Sequence, residues 1–269
     1  MKPFTVARLR LERAKAHGKS LADMWNAIPT EDFFRIRSRV EPDGSGKLFL
    51  TQVKPLPDEF ALVLGEMLYQ LRSALDSCIY QGAIYATKTD PPDKESSLEF
   101  PLTSDPDEFP KLAKRRLWAF SQDIQDEIER VQPYNTPTTL PPEQMVMNLN
   151  RSLGILNDLA RKDRHRKLHV AGCWPMKLHP KFMFPPGVTL VSIEVMEPGL
   201  LNESNELAIF QIKGYRRGMA PIQVNPNLAT TIGLNEPPLP VHQNDNWDPR
   251  FTQMIIAVNS VISAFEKYF

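Results

Sequence analysis

Proline constrains this 269-residue chain more than any other residue type. There are 25 prolines, about twice the average share of roughly 5%. They gather at Pro91-Pro92, Pro137 to Pro142, Pro185-Pro186 and Pro237 to Pro240. Proline fixes φ and lacks a backbone N–H, so such clusters stiffen connections and mark element boundaries. Helices and strands are therefore sought between them.

The segment Asp58 to Tyr85 carries the clearest helical pattern. Leu64, Leu68, Leu71, Leu75 and Ile79 recur with the 3.6-residue period. Arg72 and Asp76 stand four apart on it and are expected to pair as a structural contact. Residues 4 to 28 read as an amphipathic helix with Leu9, Leu11, Ala14, Leu21, Met24 and Trp25 on the apolar side, weakened midway by Gly18. Two short helices are predicted at Pro106–Ala113 and Ser121–Val131, with Lys111, Lys114, Arg115 and Arg116 as a solvated basic cluster between them. Pro141-Pro142 opens a second long helix, expected from Glu143 through Leu168. Asp248 and Pro249 supply an N-cap and first turn for a closing helix bearing Met254, Ile255, Val258, Val261, Ile262 and Phe265.

Strands are expected at both ends. Phe34 to Val40 alternates strictly, Asp43-Gly44-Ser45-Gly46 turns, and Leu48 to Val53 returns. Arg35, Arg37 and Arg39 must share one face, either an outer solvated one or a short strip for phosphate. Val188 to Val195 and Leu207 to Ile212 read as a pair of strands joined at Asn202-Glu203-Ser204-Asn205. Ile222 to Ile232 adds a further strand, interrupted by Pro226. The expectation is an α+β fold: a helical core of about five helices and a small antiparallel sheet shared by the N-terminal hairpin and C-terminal strands. Sharing between the ends favours a single domain over 1–269. Its parts are helix plus hairpin at 1–56, a helical core at 57–180, and strands and closing helix at 181–269.

Bulk composition excludes more than it identifies. Lys+Arg and Asp+Glu number 32 each, so no overall field draws the chain to nucleic acid or membrane, and a polyanion site must be a local patch. Cys78 and Cys173 lie far apart in apolar contexts and read as buried thiols, with a single disulfide as the alternative. The first 20 residues lack the apolar run of a signal peptide, and no stretch approaches a membrane span. The expected setting is cytoplasmic, with no membrane partner. Phosphate loops, dinucleotide fingerprints, nucleophile elbows and CxxC pairs are missing from the sequence.

Chemistry concentrates in Arg161-Lys162-Asp163-Arg164-His165-Arg166-Lys167-Leu168-His169. On an ideal helix of about 100° per residue, Leu149, Leu153, Leu156 and Ala160 form one stripe. Asp158, Arg161, His165 and His169 fall on the opposite face. Three readings follow. Histidine moves protons near neutral pH and arginine binds phosphate in two-pronged fashion, which together suit RNA cleavage without a metal. His165 and His169 are four apart and could chelate one ion, although no acidic residue lies between them and Asp163 projects about 200° away. Thirdly, Lys, Arg and His complement the dipole at a helix C-terminus, a purely structural role within a binding or scaffold protein whose basic helix contacts an acidic partner.

Arg164-His165-Arg166-Lys167-Leu168-His169 resembles the HEPN motif: arginine, a polar residue, a short spacer, then histidine. The resemblance implies a helical bundle in which two protomers join their motifs across a homodimer interface to cleave RNA. Ribonucleases of this kind serve toxin or defence systems and need no cofactor. It implies Arg164 on the phosphate, His169 as the proton-transfer residue and His165 as its polar support. Arg161, Arg166 and Lys167 would be the further cations on the RNA backbone. A broader likeness spans roughly 60 to 175. Leu71-Arg72-Ser73-Ala74-Leu75-Asp76, Phe100-Pro101, Gln132-Pro133-Tyr134, Asp163-Arg164-His165-Arg166 and Leu168-His169 together resemble a family of functionally uncharacterised bacterial proteins. That likeness implies no activity.

Overall fold

The computed structural model describes residues 4–28, 34–52, 56–139, 144, 148–165, 170–174, 180–196, 199–200, 205–216, 218–225, 231–234 and 249–269. The fold is α+β. Among the described residues there are six α-helices: α1 (Thr5–Ala27), α2 (Glu59–Thr87), α3 (Phe109–Arg116), α4 (Gln122–Arg130), α5 (Leu149–Asp163) and α6 (Pro249–Tyr268). The strands are β1 (Phe34–Val40), β2 (Ser45–Gln52), β3 (Val170–Trp174), β4 (Lys181–Met183), β5 (Thr189–Val195), β6 (Gly199–Leu200), β7 (Asn205–Lys213), β8 (Gln223–Asn225) and β9 (Thr231–Leu234). The chain forms two compact units, one of 1–21, 61–168 and 249–269, the other of 22–60 and 169–248.

The helical unit is built around the stripe that the 3.6 period marks on α2. Leu64, Leu68, Leu71, Leu75 and Ile79 are all buried, with Met67 and Ala74 between them. Leu153, Leu156 and Leu159 of α5 and Met254, Val258, Ile262 and Phe265 of α6 complete this core. Phe4 and Phe265 meet edge-on, and Phe120 meets Phe265 in the same way. Polar contacts fix α1 against α6: Arg8 donates to Glu266, to Asn259 at 2.5 Å and to Ser263 at 2.9 Å. Cys78 is buried and free, and burial pushes its thiol pKa up. It behaves as a small apolar side chain. No helix of the described residues is long and apolar enough to cross a membrane.

The other unit holds a four-stranded antiparallel sheet of order β1-β2-β7-β5, so the N-terminal hairpin does join C-terminal strands. Its turn is set by Asp43, which accepts the Ser45 N–H at 2.9 Å, and by Gly44 at φ +84°. A side chain at Gly44 would strike the Ile212 carbonyl, and one at Gly46 the Phe210 ring, so both positions require glycine. Between Leu48 and Phe49 the register with β7 slips, and Leu207 is the extra residue. That bulge lets Leu207 and Ala208 both be buried beside Leu48, Leu50, Phe210 and Ile212. Arg35, Arg37 and Arg39 stand on the exposed side of β1. Arg39 pairs with Glu41 at 2.7 Å.

Several boundaries differ from the sequence expectation. Asn148 has an extended backbone, and its side chain accepts the Arg151 N–H at 3.0 Å, so α5 begins at Leu149 behind its own cap and not at Glu143. It ends at Asp163, short of Leu168. The first short helix starts at Phe109, because Asp105 turns the chain by accepting the Asp107 N–H. The strand expected at 222–232 is two, β8 pairing with β4 and β9 with β3. β3, β4 and β6 were not expected at all. Their sequences are short or contain Gly and Ala, and they pair only with distant partners. The expected cap Asp248 and the expected loop at 202–204 lie outside the described residues.

Candidate functional site

The helix that carries the basic segment is seated by residues far from it in sequence. Gln132 is fully buried. Its side-chain amide donates to the carbonyls of Pro101 and Ile128, both at 2.9 Å, and its oxygen accepts the Thr103 N–H at 3.0 Å. This locks the short 3-10 turn Pro133–Asn135 in place. The turn packs on α5 at Gly154, where an added methyl would stand 3.1 Å from Pro133. Tyr134 donates to Glu129 at 2.9 Å, and burial with that bond pushes its pKa up to about 12.

At the far end of α5, Arg161 reaches back to Asp158 at 3.5 Å, and both are exposed. That agrees with their shared face on the helical projection. The projection fails beyond Asp163. Arg164 is the helix cap, and the His165 N–H donates to the Lys162 carbonyl at 3.0 Å, a tighter turn that ends the helix. The helix that would line up Arg161 with His165 therefore stops before His165. Arg164 and His165 are both exposed. Arg166, Lys167 and His169 lie outside the described residues, as does half of the His165/His169 metal pair. Among the described residues no group of three His, Cys, Asp or Glu side chains could hold an ion.

Asp163 fixes where this end of α5 lands. A methyl group on Gly65 of α2 would collide with the Asp163 carboxylate, so glycine there lets the two helices meet. Burial raises the Asp163 pKa, and no described residue hydrogen-bonds to it. Gly65 and Arg72 are seven apart and share one face of α2. Arg72 donates to the Phe100 carbonyl at 2.6 Å, while the Phe100 N–H donates to Asp76 at 2.9 Å. Arg72 and Asp76 are themselves 3.3 Å apart. One helical i,i+4 pair thus satisfies both polar groups of a buried residue's backbone.

Charge gathers at this point. Burial lowers the Arg72 pKa, and the nearby charges of Arg116 and Arg164 lower it further, against Asp76 and Glu99. Burial likewise raises Asp76, with Arg72 and the Phe100 N–H pulling it back. Arg116, at the end of α3, binds Glu99 at 2.6 Å. Arg164 therefore stands within electrostatic range of the buried Arg72. Its own guanidinium is exposed and has no hydrogen bond to a described residue. An exposed guanidinium without a carboxylate partner among the described residues can take an anion such as a phosphate.

The sequence pieces Leu71–Asp76, Phe100-Pro101, Gln132–Tyr134 and Asp163-Arg164 are thus parts of one assembly. In sequence Asp163 enters only through its angle to His165 and the broader likeness, and neither points to its place against Gly65. The roles of Phe100 and Gln132 were not assigned, although their recurrence with Arg72 and Arg164 in a single likeness was a usable signal. The chain matches no family model, no curated protein and no solved structure.

Proposed function

We propose that the chain is a metal-independent endoribonuclease of the HEPN kind, acting as a homodimer. The observation that carries this reading is the exposed Arg164 at the end of α5, close enough for its charge to act on the buried Arg72. In this reading Arg164 holds the scissile phosphate and His169 transfers the proton, with His165 in support. Arg161, Arg166 and Lys167 extend the contact along the RNA. The ribose 2′-hydroxyl gives up its proton and attacks phosphorus. The bond to the 5′-oxygen breaks as that oxygen gains a proton, leaving a 2′,3′-cyclic phosphate and a 5′-hydroxyl.

A non-enzymatic reading is favoured by a different observation. Arg161 pairs with Asp158, and the backbone closes on Lys162, as any basic helix end would do. The basic segment then serves an acidic partner. One experiment separates the two. Wild type and His169→Ala are incubated with mixed RNA in excess chelator. Cleavage by wild type alone, with cyclic phosphate ends, supports the ribonuclease. Equal cleavage by a folded His169→Ala, or none by either chain, moves the reading to the binding protein.

A further inference from the structure

Between α4, α5 and α6 the helical unit leaves a cavity of about 340 Å³. That lies within the range of roughly 300–1,000 Å³ of small-molecule sites. Its floor is apolar: Phe100, Ile128, Leu153 and Phe265 are all buried and line it. Its rim carries Arg130 and Lys267. Arg130 spends Nε and one terminal nitrogen on Glu127, at 3.0 and 2.5 Å, which leaves the other terminal nitrogen free. Lys267 makes no hydrogen bond or ion pair to a described residue. The three charged side chains leave the rim with one net positive charge.

We propose that this cavity binds a small amphipathic anion. Its aromatic or aliphatic body rests on Val131, Leu149 and Ala264, the half-buried apolar residues of the lining, and a single carboxylate lies on Lys267 and the open side of Arg130. The chemistry follows from the lining. An apolar body displaces water from the apolar part of the lining. A carboxylate meets the two cations Arg130 and Lys267 against the single Glu127 carboxylate, on which Lys267 also acts, while a cation would face net repulsion. The cavity and the Arg72–Asp76 pair share Phe100, which lines the one while its backbone is held by the other.

The test uses the full chain and two probes of equal shape, 2-naphthoate and the neutral 2-naphthamide, by titration calorimetry. The expected result is one saturable site per chain, with naphthoate bound at least about tenfold tighter than the amide. Lys267→Glu removes that preference. Ala264→Phe, which fills the cavity, removes binding of both. Ser260→Phe at the same lining replaces it should the first variant fail to fold. No saturable binding of naphthoate by wild type overturns the proposal. So does equal affinity for the two probes, or undiminished binding in a folded, filled variant.

Discussion

Gly65 and Asp163 compete for one volume: the carboxylate of Asp163 occupies the space that a Gly65 side chain would fill. Glycine is costly in a helix, by about 1 kcal/mol relative to alanine, so its presence in the middle of α2 needs such a reason. Gly65→Ala is expected to destabilise the protein by on the order of 1 kcal/mol, the cost of overpacking less the helical gain. In an Asp163→Ala background the same change should stabilise, by up to about 1 kcal/mol. Denaturant unfolding of the four chains measures the coupling between them. Simple additivity would mean that the two residues do not meet.

Asp163 also predicts a pH dependence. Burial raises its pKa above the ordinary 3.8, so folding favours the protonated form. That contribution to stability is complete below the ordinary value and is lost as pH rises through the raised one. Asp163→Asn has no such loss. Its melting temperature should match wild type in acid and exceed it at neutral pH. A gap of constant size across the range would remove burial as the cause.

Much of the helical frame is legible in sequence because it rests on local periodicity. The α2 stripe and the buried face of α5 follow from apolar spacing alone, and the hairpin from alternation around Asp43–Gly46. What the sequence does not show depends on distant partners. β3, β4 and β6 exist by virtue of pairing across tens of residues, and nothing within Val170–Trp174 announces a strand. The early end of α5 is of the same kind. A run of good helix formers from Arg161 to Leu168 reads as helix, yet the chain turns at Arg164 and becomes β3 by Val170. The charged residues of the candidate site could be found, but their grouping could not. Arg164 comes within electrostatic range of Arg72 at the point where Gly65 admits Asp163.

The Arg72–Asp76 pair should matter through the backbone it holds and not through its own attraction. The two keep only 17% and 34% of their side chains exposed. Asp76→Ala leaves the Phe100 N–H without its acceptor and the buried Arg72 without its counter-ion, a loss of about 2–4 kcal/mol. Asp76→Asn keeps an oxygen for Phe100 and sheds the cost of a buried charge, so it should lose about half as much or less. Arg72→Lys keeps the charge but cannot reproduce the guanidinium contact to the Phe100 carbonyl, and should fall between wild type and Arg72→Ala. Urea unfolding ranks these variants. An Asn variant as unstable as Ala would show that charge attraction dominates.

Gln132 gives the sharpest case, since all of its hydrogen-bonding capacity to described residues is internal. Its amide faces two carbonyls and its oxygen faces one N–H. Gln132→Leu strands those three backbone groups away from water, which should cost about 2–4 kcal/mol. Gln132→Glu changes shape hardly at all but sets a carboxylate oxygen against the carbonyls of Pro101 and Ile128. At neutral pH that variant should be less stable than Gln132→Leu, because a buried charge is added to the lost donors. In acid the protonated carboxyl regains one donor, so the Glu variant should recover there while the Leu variant does not. Thermal melts of both across the acid range read this crossing directly. Parallel pH profiles would show that Gln132 supports the turn beneath α5 by packing alone.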